Sequence, residues 1–252
     1  MAFKIFKGIY KNLGFSNSNN IFENKLYLRN NKKKFEKLIS NDQFFNEYAF
    51  INYITIFSLF KKNRILDIGG GFFNSFLKLY NKESKLNIYF DILENPNLLD
   101  YINSENLLKR IKIPKTIKLR IFSNRKRLYP YYDIFHFGSI IQYVDDLEYF
   151  LKSFFDNNIN PEFLIFSDVY AGDIKKNYFT KTDYYGLKHL IKIRSKKLFE
   201  KKIMSFGYEI VNVHKMILPV RGKFKFYNMS NLPKENRIYC TYNYLFKKIN
   251  KN

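Results

Sequence analysis

Residues 64–80, RILDIGGGFFNSFLKLY, restrict this chain more than any other stretch. A short apolar run, Ile65 to Ile68, carries one carboxylate, Asp67, and leads directly into Gly69, Gly70 and Gly71. Phe72, Phe73, Phe76, Leu77 and Tyr80 then recur at helical spacing. The pattern predicts a strand, a glycine turn and a helix. Glycines at such a turn have no Cβ, so a ligand can come close to the backbone and to the positive end of the helix. In an α/β sheet this is the end that takes nucleotide cofactors.

The other elements fall around that unit. Strands are predicted at 85–93, 116–122, 132–137 and 163–167, with helices over 97–111 and 144–157. The connection from 122 to 132 shows no helical pattern. Residues 171–185 read as an irregular polar and aromatic loop. A helix over 194–206 ends at Gly207, a good C-terminal cap. Strands follow at 208–214 and 237–246. No helix joins these last two, so they should pair antiparallel at one edge. Strand–helix alternation otherwise implies a mostly parallel, seven-stranded α/β sheet covered on both faces.

Residues 1–60 are expected to form a helical extension and 61–252 the domain proper. The segment MAFKIFKGIYKNLGF puts Phe3, Phe6 and Leu13 roughly on one helical face. That suits a capping helix; peripheral contact with a membrane is the alternative. Over 41–60, Phe44, Phe45, Tyr48, Ile51, Ile54 and Phe57 lie near helical period. The segment 48–60 is the longest apolar run, and it is too short for a membrane span. With no apolar core of a signal peptide, a cytoplasmic protein is expected.

The net charge is +22 and the pI about 9.7. Such a balance ordinarily points to nucleic acid or an anionic surface. Here the excess is Lys scattered along the chain among many Asn, Ile, Phe and Tyr, as an AT-rich coding sequence would produce. A nucleic-acid partner is therefore not favoured unless the cations prove to cluster. A single cysteine, Cys240, excludes an internal disulfide framework and a cysteine-based zinc site. His136, His189 and His214 are too dispersed for a metal cluster.

The nature of the cofactor follows from the turn. Gly69 and Gly71 are followed by Asn74, so the third glycine of a dinucleotide fingerprint is missing, and no P-loop pattern occurs. Glu94 ends the next predicted strand, where a carboxylate can accept hydrogen bonds from both ribose hydroxyls. Asp67, two residues before Gly69, suits a sulfonium and an amino group. Together these point to S-adenosyl-L-methionine. Ser139, Gln142 and Tyr143 lie in the turn after the fourth strand, over the cofactor's reactive end. No N/D-P-P-Y/F signature for base-amine methylation follows that strand; the chain reads HFGSI.

Several ordered motifs carry a resemblance. D-I-x-H-x-x-S-x-x-Q-Y-x-x-D over 133–146, DIGGG upstream, FLIFSDVYAGDI over 163–174, TKTDYYGLKHLIKIRS over 180–195 and SFGYEIV over 205–211 resemble a bacterial family of class I methyltransferases. Members of that family are associated with surface-polysaccharide gene clusters. The likeness covers about residues 45 to 215. It implies a Rossmann-like class I methyltransferase fold and O-methylation of a sugar or glycan precursor. His136 is then the candidate general base. Asp168, after the fifth strand, is a second candidate for base work or acceptor binding. Tyr184 and Tyr185 could line the acceptor pocket, and Gln142 and Tyr143 could hold acceptor or turn. The chain departs from the family at Asp183, where a glutamine is common, and at Phe73, where a glycine is usual. A phenyl ring inside the cofactor space would mark a non-catalytic interaction module.

Overall fold

The computed structural model describes residues 6–10, 23–40, 47–60, 63–82, 87–155, 159–184, 187–216, 219–220, 223–224 and 229–249. In chain order the elements are β1 (Phe6–Tyr10), α1 (Lys25–Ile39), α2 (Glu47–Phe60), β2 (Arg64–Ile68), α3 (Asn74–Lys82), β3 (Ile88–Leu93), α4 (Pro96–Ser104), β4 (Ile117–Phe122), β5 (Ile134–Gly138), α5 (Leu147–Phe155) and β6 (Phe163–Val169). They continue with β7 (Ala171–Gly172), β8 (Tyr178–Tyr184), β9 (Leu187–Ser195), α6 (Lys196–Met204), β10 (Tyr208–Met216), β11 (Pro219–Val220), β12 (Lys223–Phe224) and β13 (Thr241–Lys248). A seven-stranded sheet has the order β10-β13-β6-β5-β2-β3-β4. β2 pairs parallel with β3 and β5, and β3 with β4. β10 and β13 pair antiparallel at the edge. This is the sheet that the strand–helix alternation predicts.

The chain divides into two compact units. The first, Phe22–Gly138 with Asn157–Ile165, holds β2 to β5 and helices α1 to α4. Its strands are buried on both sides: Ile65, Leu66, Phe90, Ile92, Phe135 and Phe137 are inaccessible. Strands buried on both faces read as largely apolar runs. Phe76 of α3 meets Phe90 edge-on at 5.4 Å. Asn95 caps α4, accepting from Asn97 N at 2.9 Å with Pro96 at the first position. The Asn-Pro pair thus ends one strand and starts the next helix at once.

The second unit comprises Met1–Ile21, Ser139–Asp156 and Phe166–Asn252. It corrects the sequence reading twice. The stretch read as an irregular loop holds β7 and β8: β8 pairs antiparallel with β9 from Tyr178↔Ile193 to Tyr184↔Leu187, inside a second sheet of order β1-β8-β9-β7. Two of the polar residues that suggested a loop, Thr180 and Thr182, are buried within the sheet. Tyr170, Ile174, Tyr178, Ile191 and Ile193 pack with Met229, Leu232 and Ile238 in one cluster. In addition, residues 6–10 are a strand and not part of a capping helix. Gly8 sits at φ 72°, a conformation no right-handed helix contains, and β1 pairs with β8 instead. Phe3, Leu13 and the stretch 41–46, with Phe44 and Phe45, lie outside the described residues. Among those described, no helix is long and apolar enough to cross a membrane.

Candidate functional site

The glycine turn forms where β2 meets α3. Gly69 and Gly71 adopt φ 73° and 60°, values that glycine reaches without a steric penalty. Gly70 has a different reason to be glycine: a Cβ there would lie 2.5 Å from Asp67 Oδ2. A Cβ on Gly71 would meet only Asn74 Nδ2, at 3.7 Å, so the outer side of the turn is open. Glu94, just past the end of β3, reaches the turn. Its Oε2 accepts from Gly71 N at 2.6 Å and its Oε1 from Asn95 N at 2.7 Å. Burial pushes the Glu94 carboxyl up to about 7, working against the two amide donors, and the nearby Asp67 charge adds to the rise.

Asp67 and His136 are register partners on β2 and β5. Their side chains meet below the turn, with Oδ1 and Nδ1 2.9 Å apart and neither more than 1% exposed. Tyr53 of α2 faces the His136 ring edge-on at 5.4 Å. Burial and the Asp67 charge raise the Tyr53 phenol well above its ordinary range, and its hydroxyl has no hydrogen-bond partner among the described residues. Asp67 is therefore a floor residue under the glycines. His136 belongs to the same interior layer. Phe73, at φ 57°, is fully buried with its ring 5.9 Å from that of Phe35 on α1, which commits the ring to the helix layer.

The candidates in the second unit form their own group. Ser139 follows β5 at φ 54°, and Asp168 near the end of β6 adopts φ 58°. These are left-handed backbones on non-glycine residues, which cluster where the surrounding structure over-determines them. Ser139 Oγ donates to Asp168 Oδ2 at 3.2 Å, and Ser139 N to Ser167 O at 3.0 Å. Asn243 Oδ1 accepts from Asp168 N at 2.9 Å. Ser139 is exposed and Asp168 half-buried. Gln142 is buried and donates to Ser139 O, while Tyr143 is exposed. Tyr184 closes β8, opposite Leu187 in the hairpin; Tyr185 lies outside the described residues.

Sequence reasoning missed two features of this unit. Arg194 is buried and donates from Nη2 to Ile141 O at 3.1 Å and to Val144 O, fixing the turn that carries Gln142 and Tyr143. Burial pulls its guanidinium down to about 10. A cavity of about 590 Å³ is lined by Ala171, Gly172 and Ile238 below and by Lys215, Tyr239 and Tyr242 around it. Its walls come from β7, β10, β13 and the stretch before β13. Among the described residues no group of three His, Cys, Asp or Glu could hold a metal ion.

No protein-family model matches the chain, and no curated protein sequence matches it. Solved structures do. A 1,6-didemethyltoxoflavin-N1-methyltransferase from Burkholderia thailandensis, bound to 1,6-didemethyltoxoflavin and S-adenosylhomocysteine, superposes with a TM-score of 0.50 at 10% identity over 99% of this chain and 100% of its own. A SAM-dependent methyltransferase from Methanosarcina mazei gives 0.50 at 12% identity over 78% of this chain and 97% of its own. The chain has the Rossmann-like class I methyltransferase fold.

Proposed function

We propose that the chain is a S-adenosyl-L-methionine-dependent methyltransferase. The observation that carries the reading is the Glu94 carboxylate drawn onto the amide of Gly71 at 2.6 Å. An acid at the end of β3 and an uncluttered glycine backbone at the end of β2 meet in one place, as an adenosine-bearing ligand requires. Glu94 would hold the ribose hydroxyls, and Gly69 to Gly71 would let the ligand approach the backbone. Asp67 would set the negative potential beneath the turn. When bound, the cofactor supplies an electrophilic methyl carbon on a positively charged sulfur.

The acceptor is proposed to be a hydroxyl of a sugar or glycan precursor, a reading supported by the ordered motifs over 133–211. The residues must align that oxygen and take its proton. A general base has to come within hydrogen-bond reach of its proton, and His136 is only 1% exposed with Nδ1 beside Asp67. Asp168 therefore takes the role: half-buried, held by Asn243 and Ser139, it accepts the acceptor's proton on its carboxylate. His136 is a positioning residue in the floor, and Tyr143 contacts the acceptor.

Calorimetric titration of the purified chain with S-adenosyl-L-methionine tests the cofactor. Saturable binding that Glu94→Gln weakens is the expected result; no heat at millimolar cofactor from folded protein overturns the reading. A mass-spectrometric search for a gain of one CH₂ on nucleotide-sugar and lipid-linked glycan precursors tests the acceptor.

A further inference from the structure

Parallel strands of one sheet are joined by crossovers of a dozen or more residues, usually a helix that covers the sheet. Between β4 and β5 the chain instead runs through 123–133 with a single 3₁₀ turn, Arg125–Arg127. One face of β2, β3 and β4 is consequently covered by tyrosines. On that face Arg64, Tyr89 and Lys118 form one row, and Asp91 and Arg120 lie in the next. Tyr132 Oη donates to Asp91 Oδ2 at 2.5 Å, and Arg120 grips the same carboxylate. Arg120 lies 3.9 Å over the ring of Tyr129. Arg64 is held between Tyr89 and Tyr131, at 4.4 and 4.5 Å from their centroids. Tyr131 is 54% exposed.

The sequence on either side of β4 is cationic. No carboxylate occurs in the sequence between Glu105 and Asp133, while Lys109, Arg110, Lys112, Lys115, Lys118, Arg120, Arg125, Lys126 and Arg127 do. All but Arg120 are exposed. Arg110 pairs with Glu36 and Arg120 with Asp91. Among the described residues, Lys109, Lys112, Lys115, Lys118, Lys126 and Arg127 make no ion pair. β4 is the edge strand. Lysines on an edge are enough to discourage strand pairing, and charge alone would attract any polyanion. Neither explains a guanidinium stacked between aromatic rings with one ring open to solvent.

We propose that this face of β2, β3 and β4 is a docking surface for single-stranded nucleic acid, with phosphates meeting the exposed cations and bases stacking on Tyr131. A cationic track beside aromatic platforms is the chemistry that holds single strands without reading their sequence. Arg64 opens β2 and Gly69 follows its end, so the Arg64–Tyr131 stack lies at the opposite end of the strand from the glycine turn, while Arg125–Arg127 follow the far end of β4. The stack anchors a partner and is not assigned a part in methyl transfer. Its existence does not depend on the proposed reaction.

The test is fluorescence anisotropy of a labelled single-stranded RNA of mixed sequence with the full chain, over a range of salt. Binding should weaken steeply with salt. Lys126→Glu with Arg127→Glu should cost about tenfold and flatten the salt dependence, since two phosphate contacts are lost. Tyr131→Ala should cost about fivefold with the salt slope unchanged, the mark of lost stacking. Lys197→Glu with Lys201→Glu makes the same charge change on exposed lysines of α6 that form no ion pair among the described residues, and should cost little. The proposal is overturned if that control weakens binding as much as the 126/127 pair. It also fails if Tyr131→Ala is without effect, if anionic vesicles or an acidic polysaccharide compete as well as RNA does, or if no binding occurs at low salt. Thermal melts of each variant separate loss of binding from loss of fold.

Discussion

After β2 the chain turns on Gly69 and Gly71, at φ 73° and 60°; after β5 and near the end of β6 it turns on Ser139 and Asp168, at φ 54° and 58°. The dihedrals are nearly the same, but the residue types are not. Glycine adopts this region without penalty, whereas an L-residue with a side chain loses about 1–2 kcal/mol there. In the proposed function the side chains are dispensed with at 69 and 71 because the backbone itself would meet the ligand. At 139 and 168 the side chains are kept despite the strain, and Ser139 Oγ and the Asp168 carboxylate are hydrogen-bonded to each other. On that proposal the first turn would admit a ligand, and the second would hold a chemical group in place. Phe73, at φ 57°, shares the strain of the second kind inside the first turn; its ring is offset by burial against Phe35.

If that division is right, side chains added to the first turn and removed from the second should have opposite effects on stability. The largest effect belongs to Gly70→Ala. The new Cβ would lie 2.5 Å from Asp67 Oδ2 and 3.1 Å from Ile92, and Asp67 is fully buried. Overpacking of this kind costs about 3 kcal/mol, and cofactor binding should disappear from a calorimetric titration. Gly71→Ala, which meets open space, should cost only the backbone term, about 1–2 kcal/mol. Equal melting temperatures for the two variants would show that Asp67 does not pack as described.

The second turn is sharpened by Asp168→Asn and Ser139→Gly. Asparagine tolerates the left-handed region and keeps the shape, so Asp168→Asn should melt like the parent while methyl transfer falls about 100-fold, the loss of a general base. Ser139→Gly should be neutral or raise stability by about 1 kcal/mol, since it relieves strain and gives up one exposed hydrogen bond. Denaturant curves and single-turnover rates read the two effects separately. A fall in stability with Ser139→Gly would mean that the hydroxyl holds the turn for structural reasons alone.

A smaller effect, visible in pH, separates Glu94 from the other groups. Its carboxyl is raised by burial to about 7 from an ordinary value near 4.5. A raised folded-state value stabilises the protein below the unfolded value, and that gain is lost as pH climbs through about 7. The free protein should thus melt lower at pH 8 than at pH 5, by up to about 3 kcal/mol. Glu94→Gln should remove that dependence. Ribose hydroxyls donate to the ionised form, so cofactor affinity should rise over the same interval with proton release. Glu94→Gln should weaken it about tenfold at pH 8. A pH-independent affinity in the parent protein would remove Glu94 from the ligand's surroundings.

What could be read from the residues, and what could not, follows the reach of the forces involved. The glycine turn and the Asn95-Pro96 boundary are local: a few adjacent residues decide the backbone, so their types announce it. The seven-stranded sheet is legible for the same reason, as each strand carries its apolar run. The β8–β9 hairpin is not, because Thr180 and Thr182 look like loop residues until β9 covers them. Nor is β1, five residues whose strand character depends on pairing with Thr182 and Phe179 far along the chain. Ser139 and Asp168 could be placed at strand ends, but not in the left-handed region. That conformation is imposed by a partner such as Asn243. The stacking of Arg64 on Tyr131 left no sequence signal either, because it joins β2 to a connection far along the chain.

The floor beneath the glycines offers the finest test of the contrast between the two turns. Tyr53 is buried, and its hydroxyl is without a partner among the described residues, in the field of Asp67. A buried hydroxyl left unpaired costs stability, so Tyr53→Phe should leave the free protein as stable or more so, by up to about 1 kcal/mol. The ring contact with His136 at 5.4 Å is retained by phenylalanine. If the floor only supports the turn, the variant should bind cofactor as the parent does. If the hydroxyl is kept for a ligand group, affinity should fall severalfold while stability rises, and the turn built to admit a ligand would then contain, like Ser139 and Asp168, a polar group held at a cost.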